Sequence, residues 1–196
     1  IMNHFDWNRG FSLDFNLVTG FSNAAQTTKR CLSSMSGMFY NQEAAKLILQ
    51  KGDPLIYEFY ELGCPERPGD LSFGTTILYP GKIGNEYFMT KGHFHSILET
   101  AEIYYTLSGE GYMVMENQDG DTREIRLLKN NAVYVPRGYA HRTVNTGTVP
   151  LVLFYTFDAN AGHDYGTIES KGYRKLILEE NGVPIVKNNP KWTNHV

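Results

Sequence analysis

The sequence is poor in cysteine, since Cys31 and Cys64 are the only two in 196 residues. They form neither a zinc motif nor a disulfide framework. A disulfide between them is the alternative, but we expect two unpaired thiols in a reducing compartment. No run of about 18 apolar residues occurs, so we expect no membrane-spanning helix. The N-terminus shows no basic segment followed by an apolar stretch, so we expect no secretory signal and a cytoplasmic protein.

Positive charge is not in excess either, because 18 Lys and Arg stand against 21 Asp and Glu, for a net charge of −3. A general nucleic-acid-binding protein is normally basic, so this class of function is disfavoured. The chain contains no internal repeat, low-complexity tract or linker. With 41% hydrophobic residues, it can bury a core, and we expect a single domain. We expect it to bind neither nucleic acid nor membrane.

What the sequence does contain is many short runs rich in Val, Ile, Thr and aromatic residues, which favour β-strands. Turn-forming Gly, Asn, Asp and Pro separate these runs, as in a sandwich or barrel. We predict strands at 55–62, 73–79, 86–95, 102–107, 112–116, 123–128, 132–135, 141–145, 150–157, 174–179 and 183–187.

One segment before these strands predicts a short helix. Asn41 can cap it, residues 44–48 carry apolar side chains at helical spacing, and Gly52 lies beyond its end. The first forty residues are harder to interpret, and they either add strands at a sheet edge or bridge to a second subunit. We therefore predict an all-β fold, with an N-terminal extension over 1–52 and a barrel over 53–196.

Three histidines and one glutamate form a candidate metal site. In a strand, residues two apart point to one face, so His93 and His95 should face the same side while Phe94 faces the other. Glu102 begins the next predicted strand, and His141 begins a later one. Three imidazoles and one carboxylate suit Fe, Mn, Ni, Co or Zn in a site with open positions.

The surroundings of these four residues resemble the two motifs of the cupin superfamily. The first motif, His-x-His, a spacer, Glu, six residues and Gly, is matched by His93, His95, Glu102 and Gly109; the second is matched by Pro136, Gly138, His141 and Asn145. Asn130 stands where the second motif opens with Gly, but Asn also tolerates positive φ. The resemblance implies a jelly-roll-like cupin barrel.

Longer stretches resemble the cupin-type (archaeal-type) glucose-6-phosphate isomerases. They are residues 73–82, 86–95, 101–104, 141–145 and 161–168. The resemblance implies a metal-dependent aldose–ketose isomerase that interconverts glucose 6-phosphate and fructose 6-phosphate in glycolysis and gluconeogenesis. It also implies one divalent metal per subunit, expected to be Fe²⁺, with Mn²⁺, Ni²⁺, Zn²⁺ or Co²⁺ as alternatives. Because cupin sheets have edges that are usually covered, we expect a homodimer.

The same resemblance assigns roles to individual residues. Glu102 becomes both a metal ligand and the base that moves a proton between C1 and C2, although a ligand-only role and a hydride shift stay open. His163 assists ring opening, and Tyr104 lines the sugar pocket. The phosphate is held by Thr76, Thr90, Gly92 and Tyr165. Lys91 adds positive charge nearby, but alternation should point it away from the two histidines.

The chain departs from these isomerases at three positions. Relatives carry Tyr where this chain has Phe157, and Tyr155, two residues earlier on the same strand face, is a candidate replacement for the missing hydroxyl. Gly138 and Tyr139 stand where relatives tend to carry bulky aromatic residues. These departures concern the shape of the pocket and leave the metal ligands intact.

Two other functions compete with the isomerase. An iron- and O₂-dependent cupin dioxygenase needs the same ligands, but it does not need the phosphate-type stretches. A non-catalytic sugar sensor usually carries a helix-turn-helix domain, for which this chain has no room. His4 and His195 lie outside the candidate metal site and are interpreted as ordinary terminal residues.

Overall fold

The computed structural model describes residues 5–23 and 26–192, in which β-strands predominate. The strands are β1 (Gln26–Cys31), β2 (Leu55–Glu61), β3 (Leu71–Leu78), β4 (Lys82–Ile83), β5 (Glu86–Tyr87), β6 (Glu102–Ser108), β7 (Glu110–Asn117), β8 (Thr122–Leu128), β9 (Ala132–Val135), β10 (Tyr139–Asn145), β11 (Leu151–Asp158), β12 (Lys175–Glu180) and β13 (Val183–Asn188). The helices are α1 (Gln42–Leu49) and α2 (Gly166–Lys171), and two single turns of 3₁₀ helix cover Leu32–Ser34 and Ser36–Met38.

The strands form three antiparallel sheets around one core. The largest sheet has the order β1-β2-β3-β11-β6-β9, the second β10-β7-β8 and the third β13-β12-β5-β4. Leu153, Met113 and Ile177, one from each sheet, belong to the same cluster of buried apolar side chains. The predicted all-β cupin barrel is therefore confirmed.

The predicted helix is confirmed as α1. The Asn41 side chain accepts a hydrogen bond from the Ala44 backbone N–H at 3.0 Å, which satisfies one of the donors that the first turn leaves free. Ala45 is buried against the barrel. The structure adds a second helix, α2, which the sequence did not indicate, because six residues are too few for a helical pattern to be read.

The predicted strand at 86–95 is only partly regular. It holds ladder pairing over β5, and then makes single bridges at Met89, His93 and Phe94. Gly92 has φ +73°, which a pleated strand cannot accommodate, so the strand is interrupted there, although Met89 and His93 on either side both bridge to β10. His93 and His95 nevertheless face the same side, with ring centroids 5.6 Å apart.

The N-terminal extension supplies an edge strand to the largest sheet, one of the two alternatives that the sequence left open. β1 pairs with β2 in antiparallel register. Ahead of it, Gly20 accepts a hydrogen bond from the buried Thr75 hydroxyl and so attaches the earlier segment to the sheet.

Cys31 and Cys64 are both free thiols, as expected. None of the described helices has the length and apolar character needed to cross a membrane.

Candidate functional site

The four predicted ligands converge at one point inside the barrel. Their candidate ligand atoms, on His93, His95, Glu102 and His141, all lie within 4.8 Å of one another. His93 is held there by an antiparallel bridge to His141, which connects the irregular segment after β5 to β10. Glu102 projects from the first residue of β6. The cluster therefore depends on segments that are far apart in sequence.

The Glu102 carboxylate is the electrostatic centre of this cluster. Its Oε2 lies 2.8 Å from His141 Nε2 and 3.1 Å from His95 Nε2. Burial by itself raises the pKa of Glu102, but the facing His141 and the hydrogen bonds from His141 and His95 lower it well below its ordinary value. The carboxylate is therefore ionised in the folded protein.

The imidazoles suit a divalent cation. Burial, reinforced by the neighbouring His141 and His163, lowers the pKa of His93 well below its ordinary value, so this ring is neutral and has a lone pair to donate. His93 Nε2 is buried and has no hydrogen-bond partner among the residues described. A buried polar atom without a partner is costly unless an ion or water satisfies it. The cluster is thus a candidate metal site.

Groups outside the cluster orient two of the rings. His95 Nδ1 lies 2.7 Å from the Thr100 hydroxyl, which itself donates to the Ile97 carbonyl at 2.7 Å. His141 Nδ1 lies 3.4 Å from the Tyr139 carbonyl. Such contacts on the outer nitrogen hold the ring and turn its Nε2 towards the cluster, as is usual for histidines that bind metals.

A pocket opens above the cluster and encloses, together with its mouth, about 690 Å³. Except for His95, all the predicted site residues line it: Thr76, Thr90, Gly92, His93, Glu102, Tyr104, His141, His163 and Tyr165. Tyr155 and Phe157 also line it, and their rings stack with centroids 6.0 Å apart. The expectation that these two side chains share a strand face is confirmed.

Hydroxyl groups and backbone also line the pocket. The Thr90 hydroxyl accepts from the Thr143 backbone N–H at 3.0 Å. Gly92 must be glycine, since a Cβ there would lie 2.3 Å from the Tyr173 hydroxyl and 2.8 Å from the His141 carbonyl. Burial raises the pKa of Tyr165 to about 12, so this hydroxyl keeps its proton and can donate a hydrogen bond.

His163 and Tyr104 flank the cluster on different sides. The His163 ring lies 4.4 Å from the His93 ring and stacks on Tyr165, with centroids 5.7 Å apart. Burial lowers the pKa of His163, which favours its neutral form. Tyr104 lies 5.7 Å from the His141 ring, and burial together with the Glu102 charge and a hydrogen bond to it raises the pKa of Tyr104.

Four lining residues were missed from the sequence: Tyr57, Phe59, Glu61 and Thr143. The first three alternate along β2, so the period-2 pattern places them on one face, but only the tertiary structure shows that this face meets the pocket. Thr143 lies two residues after His141 and faces the same way. Lys91 is paired with Glu169 Oε1 at 2.6 Å and does not line the pocket, so its expected outward direction is confirmed.

Two features of the second cupin motif are also explained. Asn130 has φ +71°, so it adopts the conformation for which the motif otherwise uses glycine. The Tyr139 hydroxyl donates to Asp121 Oδ2 at 2.6 Å, and Tyr139 is not among the pocket-lining residues. His4 and His195 lie outside the described residues.

The fold and the site define the class of the protein: a cupin barrel with a candidate metal centre of three histidines and one glutamate. The family model of glucose-6-phosphate isomerase matches residues 29–193, and the chain belongs to this family of isomerases. A glucose-6-phosphate isomerase of Thermococcus litoralis is 49% identical over 93% of this chain and 95% of its own length. One from Pyrococcus furiosus is 46% identical over 93% and 96%. A bacterial relative from Sinorhizobium medicae is 34% identical over 85% and 79%.

Proposed function

We propose that the protein is a metal-dependent isomerase that interconverts glucose 6-phosphate and fructose 6-phosphate. The observation that carries the proposal is one pocket that combines two kinds of group. Three members of the His93, His95, Glu102 and His141 cluster line it, and so do uncharged hydroxyl and backbone donors. The family match and the sugar-phosphate activity named for the relatives support the same conclusion.

A divalent cation held by the cluster would polarise the sugar carbonyl and stabilise the negative charge that develops when the C–H bond breaks. Glu102 is ionised, and its carboxylate faces the pocket. In the proposed reaction it takes a proton from the carbon beside the carbonyl and returns it to the carbonyl carbon, while the hydroxyl proton passes from one oxygen to the other, so that aldose and ketose are exchanged. A ligand-only Glu102 with a hydride shift is the alternative mechanism.

Ring opening must precede this step, because the carbonyl exists only in the open-chain sugar. His163 is assigned to this task, since its lowered pKa leaves one ring nitrogen free to accept a proton and the other able to donate one.

Tyr104 positions the sugar beside Glu102. The phosphate is assigned to Thr76, Thr90, Gly92 and Tyr165, which offer hydroxyls and backbone N–H groups.

A coupled assay tests the proposed function. Metal-loaded protein is given fructose 6-phosphate, and glucose 6-phosphate is detected through NADP reduction, with and without a chelator. The proposal expects activity that the chelator removes, and inactivity of the loaded protein would contradict it. Oxygen consumption without isomerisation would favour the dioxygenase. In D₂O, solvent deuterium in the product supports proton transfer, whereas its absence supports the hydride shift.

We also propose that the chain acts as a homodimer of single-domain subunits with Fe²⁺ as the native metal. Leu32 and Phe39 from the extension share the core of the barrel, which supports one domain. The outer face of the largest sheet exposes Ile103 and Tyr134, which are cross-strand partners with exposed fractions of 42% and 60%. Apolar side chains paired on an outer sheet face are suited to a second copy. The cytoplasmic location stays a prediction.

A further inference from the structure

The pocket has an unusual charge balance for a site that would hold a phosphate group. Among the described residues that line the pocket, none is lysine or arginine. Lys91 follows Thr90 in the chain, but its charge is directed to Glu169 and its side chain is only 17% exposed. A phosphate monoester carries between one and two negative charges at neutral pH. Neutral donors alone bind such a group less strongly than a charged donor does.

Arg30, on β1, lies beside Tyr57, which lines the pocket. It is the cross-strand partner of Tyr57, and paired residues of an antiparallel ladder project from the same face of the sheet. Because Tyr57 lines the pocket, Arg30 also lies on the inner face. Its neighbour Lys29 faces the other way, with a side chain that is 63% exposed.

The guanidinium of Arg30 contacts the Tyr57 hydroxyl. Burial raises the pKa of Tyr57, and a backbone hydrogen bond with Lys91, the charge of Arg30 and a hydrogen bond from Arg30 each lower it. Tyr57 is thus in contact both with Arg30 and with the segment that holds Thr90.

Arg30 has spare binding capacity. Its Nε is buried and lacks a hydrogen-bond partner in the part of the chain that the structure describes. Within residues 5–23 and 26–192, no carboxylate forms an ion pair with it. A partly buried cation without an anion is destabilising, and an anion bound nearby relieves that cost.

We propose that Arg30, beside Tyr57 on the inner face of the sheet, supplies the positive charge that holds the phosphate group of the substrate. The inference rests on the proposed function, because it takes the anion to be a sugar phosphate. It gives the N-terminal extension a part in substrate binding as well as in the sheet.

The matched pair Arg30→Met and Lys29→Met tests this. Both remove one positive charge from the same strand, one on the inner face and one on the outer. In metal-loaded, full-length protein, Arg30→Met should raise the KM for fructose 6-phosphate and the inhibition constant of inorganic phosphate by about tenfold or more, the scale of a lost charged hydrogen bond. Its kcat should change by about threefold at most, because Arg30 does not touch the reacting carbons.

Arg30→Lys, which keeps the charge, should restore most of the affinity, and Lys29→Met should leave both constants unchanged. Arg30→Gln is made in parallel in case Arg30→Met does not fold. The inference is overturned if the neutral Arg30 variants match Lys29→Met in both constants, or if Arg30→Lys is as defective as they are.

A binding measurement separates this inference from the proposed function. Inorganic phosphate is titrated against wild type and each variant, with the rise in unfolding temperature as the readout. Phosphate stabilisation that depends on Arg30 supports the anion site even if the isomerase assay is negative, in which case only the proposed function fails. Equal stabilisation of wild type and Arg30→Met overturns the inference even in an active isomerase.

Discussion

His93 and His141 exchange two backbone hydrogen bonds, from His93 N–H to the His141 carbonyl at 3.3 Å and from His141 N–H to the His93 carbonyl at 3.1 Å. This bridge sets the distance between the two imidazoles through the main chain, and their ring centroids are 4.6 Å apart. Two candidate ligands from different motifs are therefore held close together by the main chain. Preorganised ligands lose little conformational entropy on binding, which favours tight association.

Metal content should depend on these two histidines. His93→Ala and His141→Ala should each lose most of the bound metal, because each removes one of the four side chains that would bind it. His163→Ala is the matched control, since His163 lies 4.4 Å from His93 but outside the four-residue cluster. Elemental analysis after desalting measures the metal. Chelated wild type should be inactive and regain activity with a divalent ion, and unchanged metal in both ligand variants would contradict the assigned site.

Glu102→Gln distinguishes a base from a ligand. The variant keeps the shape and one oxygen but lacks the charge and basicity, so turnover per bound metal, at saturating metal, should fall by about a hundredfold or more. Metal binding should fall much less, because the three imidazoles remain. A variant that regains near wild-type turnover when excess metal is added would refute the base and favour the hydride shift.

Gly92→Ala should destabilise the fold by about 2–5 kcal/mol, the sum of positive-φ strain and a steric clash. The new Cβ would lie 2.3 Å from the Tyr173 hydroxyl. Gly138→Ala is the control, since Gly138 has a similar φ of +78° with nothing within 4 Å of an added Cβ. It should cost only about 1–2 kcal/mol. Urea unfolding of the metal-free proteins gives both values, and equal losses would show that the contact with Tyr173 relaxes freely.

The homodimer predicts a solution mass of twice the 22.3 kDa chain by light scattering. Tyr134→Glu, on the exposed face of the largest sheet, should shift the mass towards the monomer, because it buries a charge in the proposed contact. Val183→Glu is the matched control at another exposed apolar position, on β13. Wild-type protein that is monomeric at working concentration would rule out the homodimer.

The sequence by itself determined the fold class and the candidate metal ligands. Alternating apolar residues and regular turns define strands locally, and the motif spacing selects His93, His95, Glu102 and His141, which the barrel brings together. The positive φ of Asn130 was also predictable from the sequence, because asparagine tolerates this conformation in a turn. Such features depend on neighbours within a few residues.

Only the tertiary structure decided what lies around those ligands. Arg30 and Tyr57 are 27 positions apart, and their pairing follows from the register between β1 and β2, which no local pattern specifies. Likewise, Glu61 carries no motif and enters the pocket because β2 lies beside β3. The irregularity at Gly92 also depends on contacts with distant residues, Tyr173 and His141. Strand pairing and close packing involve residues that are distant in sequence. The residues that surround the candidate ligands can therefore be identified only from the assembled sheets.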